Sequence, residues 1–135
     1  MEKHEYDMGF GGKVLYFPKV IKTINMERIV SCVDWKQIPI KFMGKTHLQP
    51  RMIAYFSDLH DHNYKYSTCV LTPNRYDSVS GLRELQDEIE NLTDATYNSC
   101  LMNLYRNGDD YVSYHADNEK IYGNDPFNDD SSMFH

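Results

Sequence analysis

Tyr97-Asn98-Ser99-Cys100-Leu101-Met102-Asn103-Leu104-Tyr105-Arg106-Asn107-Gly108-Asp109-Asp110, and after four more residues His115-Ala116-Asp117-Asn118-Glu119, set the pattern from which the rest of the chain can be read. Thr96–Tyr105 has the composition of a strand, Asn107-Gly108 is a turn dipeptide, and Tyr111–Asp117 reads as a further strand. Residues two apart on a strand share a face. Asn103 therefore stands beside Tyr105, and His115 beside Asp117.

An imidazole and a carboxylate side by side suit non-haem iron(II), which takes two His and one carboxylate on one face and keeps its other positions open. Alone, a His-x-Asp pair is far more often an ordinary surface pair or one hydrogen-bonded to the sheet. Asn103 and Tyr105 add an amide and a phenol, suited to gripping the carbonyl and carboxylate of an oxyacid.

Working outward, the clearest helix is Val79–Leu92. Val79, Leu82, Leu85, Ile89 and Leu92 recur at intervals of three and four, with Glu84, Asp87, Glu88 and Glu90 elsewhere on the wheel. Asp77, Ser78 or Ser80 is expected to cap its start. Before it, Pro50–Ser57 and Tyr64–Leu71 read as strands, the second closed by Pro73-Asn74. Trp35–Phe42 looks extended, with Pro39 confining it to an edge or bend. Asn25–Val33 reads as a short helix, and Val14–Ile24 as a strand or turn leading to it. After Asn118 the chain is Asp- and Asn-rich, and 118–135 is expected to be a frayed tail. Strands flanking one helix without a βαβ rhythm give an α+β class with an antiparallel sheet.

At 135 residues, 41% hydrophobic and 25% charged, the chain suits one soluble domain. No apolar run approaches the ~18 residues of a membrane span, and charged Met1–Asp7 does not read as a secretory signal. Cys32, Cys69 and Cys100 are odd in number and widely spaced, which excludes a disulfide framework or zinc knuckle. They are expected as small core residues of a protein in a reducing compartment, nuclear or cytoplasmic. The net charge of −6 is unevenly placed: residues 1–83 carry 12 Lys and Arg against 8 Asp and Glu, and residues 84–135 carry 2 against 12. Lys36, Lys41, Lys45, His47 and Arg51 form a basic stretch able to meet phosphates, or simply a solvated loop.

The run from Tyr97 to Asp110 followed by His115-Ala116-Asp117-Asn118-Glu119 resembles the AlkB family of iron(II)/2-oxoglutarate dioxygenases. The likeness is greatest to its eukaryotic branch that repairs alkylated DNA and RNA. Gln49-Pro50-Arg51, Ala54-Tyr55-Phe56 and Tyr64-Lys65-Tyr66-Ser67 continue it upstream, so that it covers Gln49 to Glu119 and, more loosely, Pro18 onward. The resemblance implies a double-stranded β-helix (jelly roll), iron(II) as cofactor and 2-oxoglutarate as cosubstrate. It implies iron ligation by His115 and Asp117, and 2-oxoglutarate contacts by Asn103 and Tyr105. Tyr64 and Tyr66 would line the base pocket, with Arg51 and Glu119 also at the substrate. Asn118 departs from the acid usual in the branch, which bears on which base is preferred. The implied activity is oxidative demethylation of N-methylated bases of the 1-methyladenine and 3-methylcytosine type.

The family also needs a later His on iron and an Arg on the distal carboxylate of 2-oxoglutarate. Here 18 residues follow Asp117, with His135 the only His and no Arg. The expectation is a single, incomplete dioxygenase domain over 1–135, inactive alone, with a second chain as one way to complete the jelly roll. A non-catalytic nucleic-acid-binding remnant and a related oxygenase acting on RNA or protein are the alternatives. His60-Asp61-His62 is a rival metal motif without a matching partner, read as a loop. A two-residue Asn107-Gly108 hairpin would pair 100 with 115 and put Asn103/Tyr105 and His115/Asp117 on opposite faces of one sheet. They converge with an odd loop or with facing sheets, and a jelly roll provides the latter.

Overall fold

The computed structural model describes residues 1–22, 24–59, 63–66, 69–115 and 133–134, with Tyr66, Met133 and Phe134 described by their backbone alone. Asp117, Asn118, Glu119 and the His60-Asp61-His62 motif lie outside the described residues.

The centre of the molecule is a pair of antiparallel strands, β5 (Met52–Ser57) and β8 (Ser99–Leu104), with Met52 opposite Leu104 and Ser57 opposite Ser99. Both are rich in apolar residues because both faces are covered. One face carries Ala54, Phe56, Cys100 and Met102 against the helices α1 (Met26–Cys32) and α2 (Leu82–Thr93), with Ile29, Val33, Val79, Leu82 and Leu85 filling the space. The other carries Tyr55 and Leu101, packed on Tyr64. Lys36 and Ile53 exchange two backbone hydrogen bonds of 2.8 Å, and Asn74 bonds Tyr55 and Ser57, so the outer edge of β5 is not left bare. Met133–Phe134 (β9) lies parallel beside Ser99–Cys100.

Around this centre lie three small antiparallel hairpins. β1 (His4–Gly9) pairs with β2 (Gly12–Tyr16), β3 (Pro39–Phe42) with β4 (Lys45–Leu48), and β6 (Tyr64–Tyr66) with β7 (Cys69–Leu71). The class is α+β, as the pattern of elements implied.

Several boundaries differ from expectation. α2 starts at Leu82, and a 3-10 turn over Tyr76–Ser78 precedes it. Its N-cap is Gly81, at φ 90°, without a side-chain cap, so none of Asp77, Ser78 and Ser80 fills that role. By contrast Asn25 caps α1 as its type predicts, accepting from the Arg28 amide at 3.0 Å. Tyr64–Leu71 is two short strands rather than one. Tyr111–His115, the described part of the strand expected over 111–117, is not a strand. Cys100 is in the core, but Cys32 is exposed and Cys69 only half-buried.

Candidate functional site

The expected two-residue hairpin after β8 does not form, and the cause is a side-chain clasp. The Arg106 amide and Nε donate to Asp110 Oδ2 at 2.8 and 2.7 Å, and Nη2 donates to Oδ1 at 2.8 Å. This bidentate ion pair holds the Asp110 carboxyl down to about 2. It closes Asn107–Asp110 into a turn, with the Asp110 amide on the Asn107 carbonyl. The chain then leaves β8 and docks by Tyr111 instead, whose amide donates to the Pro50 carbonyl at 2.8 Å. The segment carrying His115 thus runs past the start of β5.

Arg51 completes this junction. Its Nε donates to Asn103 Oδ1 at 3.0 Å and its Nη1 to the Tyr111 carbonyl at 3.2 Å, and the residue is only 7% exposed. Arg51, Asn103 and Tyr111 are therefore brought together at one end of the β5–β8 pair, and the chain continues from there to His115. Asn103 lies across from Ile53, on the face of Tyr55 and Leu101 opposite the helices. The amide nitrogen of Asn103 has no hydrogen-bond partner among the described residues, and the Tyr105 side chain is 46% exposed. Two donors thus stand at the strand end, the groups an oxyacid's acceptor oxygens need.

His115 is exposed, and its Nδ1 lies 2.8 Å from the Ser113 carbonyl. A carbonyl only accepts, so Nδ1 is the donor in this contact, and in a neutral imidazole the lone pair would then be on Nε2. That is the state of an imidazole that ligates a metal through Nε2 with Nδ1–H held by backbone. Asp117, its expected co-ligand, is outside the described residues, and among the described residues no three His, Cys, Asp or Glu gather into a metal site. The donors present fit the expected groups in kind: imidazole for iron, amide and phenol for 2-oxoglutarate.

Tyr64 is 2% exposed and tilted against Tyr55 with ring centroids 5.5 Å apart, so it forms part of the second core cluster. Of Tyr66 only the backbone is described, and Glu119 is not described. Lys41, Lys45 and His47 are exposed on the β3–β4 hairpin, whereas Arg51, grouped with them in sequence, is buried. Sequence reasoning missed the partnership of Arg51 with Asn103, for which 52 intervening positions leave no local signal.

Comparison with known proteins gives the family. The model of the 2OG-Fe(II) oxygenase superfamily matches residues 14–127. The chain is 31% identical over 125 residues to the DNA oxidative demethylase ALKBH2 of Arabidopsis thaliana, a match covering 89% of this chain and 40% of that protein. It is 38% identical over 101 residues to the alpha-ketoglutarate-dependent dioxygenase alkB homolog 3 of Homo sapiens, covering 75% and 34%. With human DNA oxidative demethylase ALKBH2 it shares 31% over 81 residues, covering 60% and 30%. The chain belongs to the 2OG-Fe(II) oxygenases and, within them, to the AlkB family of dioxygenases. Iron(II) and 2-oxoglutarate are the cofactor and cosubstrate that this family implies. The chain spans about 40% or less of the length of these relatives. No described helix is long and apolar enough to cross a membrane.

Proposed function

We propose that this chain supplies the leading half of an oxidative demethylase site for N-methylated bases in DNA or RNA. In this reading β5 and β8 form part of a jelly roll, and His115 with Asp117 gives two of three iron ligands. Asn103 and Tyr105 donate to 2-oxoglutarate, while Tyr64, Tyr66 and Glu119 border the base, with Tyr64 bracing that border from within the core. When bound, iron with 2-oxoglutarate and O2 supplies the oxidation of the methyl group. The chain's own residues hold the cosubstrate, offer the His115 imidazole to the metal and receive the base. A methylated base must leave its stack to enter, which costs a few kcal/mol and is cheapest for a damaged or single-stranded one.

The observation that carries the reading is the junction at Tyr111. Its amide donates to the Pro50 carbonyl and its carbonyl accepts from Arg51 Nη1, so the segment that leads to His115 starts at the end of the strand pair that holds Asn103.

The test is spectroscopic first. Mn(II) added to the 15N-labelled chain is expected to broaden the amide signals of His115 and its neighbours, and to do so no longer in the His115→Ala/Asp117→Ala variant. Broadening that ignores the double substitution would dismiss the site. These 135 residues by themselves offer no third ligand matching the family's, so we expect no formaldehyde from a 1-methyladenine oligonucleotide with this polypeptide alone. Robust release would overturn that part.

The exposed Lys41, Lys45 and His47 on one hairpin support a second reading, a binding module for nucleic acid. Salt-dependent binding of a single-stranded oligonucleotide, without any response to metal or 2-oxoglutarate, would favour it.

A further inference from the structure

Arg51 belongs in sequence to a basic stretch, yet it is only 7% exposed at the end of the β5–β8 pair. A guanidinium is always charged and costly to take out of water, so a buried one is held by specific acceptors. Among the described residues they include Asn103 Oδ1 at 3.0 Å and the Tyr111 carbonyl at 3.2 Å.

The chemistry of the two partners makes this contact directional. A carboxamide has an accepting side and a donating side, and only its partners decide which way it faces. Guanidinium donates and never accepts, so it captures the oxygen of Asn103 and leaves the NH2 group for something else. 2-Oxoglutarate, fully ionised at neutral pH, offers acceptors alone. An amide turned the other way would put its oxygen against that anion.

We propose that Arg51 is a positioning residue, which locks Asn103 with its amide donors facing the 2-oxoglutarate site and moors the His115-bearing segment through Tyr111. This rests on the reading of Asn103 as a contact for 2-oxoglutarate. One side chain thereby couples the cosubstrate contact on β8 to the chain that leads to the metal ligand.

The test uses the full 135-residue chain with Arg51→Lys, Arg51→Met, Asn103→Ala and the Arg51→Met/Asn103→Ala double variant. The 2-oxoglutarate dissociation constant is measured calorimetrically with Mn(II) present. Asn103→Ala and Arg51→Met should each weaken binding about tenfold, the worth of one good hydrogen bond. The double variant should lose no more than Asn103→Ala alone, because Arg51 acts through Asn103. If Asn103→Ala weakens binding but Arg51→Met does not, or if the losses multiply, positioning by Arg51 is refuted and the Asn103 reading survives. If Asn103→Ala changes nothing, the reading of the site itself falls.

Arg51→Lys guards against misfolding, since it keeps the charge and loses the fork. In the unliganded chain, the Asn103 carboxamide NMR signals should shift in Arg51→Lys. Unchanged signals would refute the lock without reference to any ligand. Binding of an unmodified single-stranded oligonucleotide should keep its salt dependence in Arg51→Met. A slope reduced by nearly one unit would make Arg51 a phosphate contact instead.

Discussion

At the residue scale the sharpest electrostatic feature is the Arg106–Asp110 clasp. Its Asp110 side chain is only 5% exposed, and its carboxyl sits at about 2 against an ordinary 3.8 because a guanidinium and a backbone amide both donate to it. A carboxyl whose pKa is lower in the folded state stabilises the fold above the unfolded value. It gives up that contribution as pH falls through the folded one. The turn over Asn107–Asp110 should therefore hold at pH 4 and loosen toward pH 2. A 13C titration of the Asp110 carboxyl should show a midpoint near 2 that moves up toward 3.8 in Arg106→Gln; an unmoved midpoint would refute the clasp. Burial pushes the Cys100 thiol up to about 12, while Cys32 is exposed. Since the thiolate is the reactive form, a thiol reagent at pH 8 should label Cys32 in the native chain and Cys100 only after denaturant is added. Mass spectrometry of the labelled peptides decides this.

At the element scale, α2 is held by more than its apolar stripe. Gln86 Nε2 donates to the Tyr97 carbonyl at 2.6 Å, and the Tyr97 amide donates to Glu90 Oε1 at 2.8 Å, so the helix fixes the entry to β8. Arg83 reaches the end of β5, bonding Asp58 through two nitrogens at 2.8 Å with its guanidinium over the Tyr76 ring. Leu82 is fully buried, so Leu82→Ala should cost ~2–5 kcal/mol in denaturant unfolding. Gly81→Ala meets no atom within 4 Å yet has to adopt φ 90°, which should cost ~1–2 kcal/mol through the backbone alone. A loss under half of the lower figure for Leu82→Ala would mean that α2 is not docked as described.

These elements also mark what a sequence reveals and what it does not. The body of α2 was legible because Leu82, Leu85 and Ile89 repeat with the helical period, and β5 and β8 because their apolar runs are continuous. The start of α2 was not, because Gly81 replaces the side-chain cap that Asp77, Ser78 or Ser80 would give. Asn107-Gly108 announced a turn correctly, but the hairpin it usually opens lost to the Arg106–Asp110 clasp and the Tyr111–Pro50 bond. Of the candidate site, Asn103 and Tyr105 could be paired by their two-residue spacing. What Arg51 does could not be read, because its partners lie 52 and 60 positions away and only folding brings them together.

At the scale of the whole molecule, stability should be steeply graded. β5 and β8 are covered on both faces, and Ile53, Tyr55, Phe56, Cys100 and Leu101 are each 2% exposed or less. Every residue of β1 and β2 is exposed, including Tyr6, Met8, Val14 and Tyr16, and Phe10 stands at the tip at φ 53°. A lone two-stranded hairpin is marginal in water, so nothing in β1–β2 can match the burial at the centre. The charges agree with this division, since the hairpin is laced by exposed Lys3–Glu5 and Lys13–Glu5 pairs, which water and salt screen to little net stabilisation. Local opening free energies range from near zero at such frayed elements up to the global value in the core. Native-state hydrogen exchange should therefore find the β1–β2 amides exchanging within the first measured minutes. The amides of Ile53, Tyr55, Leu101 and Met102 should exchange only by global unfolding, with free energies that fall together in denaturant. The Tyr111 amide should lie between these limits, since it bonds Pro50 but sits in an exposed segment. If Tyr111 exchanges as fast as the β1–β2 hairpin, the mooring of the His115 segment is lost, and the site proposed on it loses its support. If it tracks the core strands instead, the segment leading to His115 is part of the same cooperative unit as Asn103, and the two halves of the proposed site fold as one.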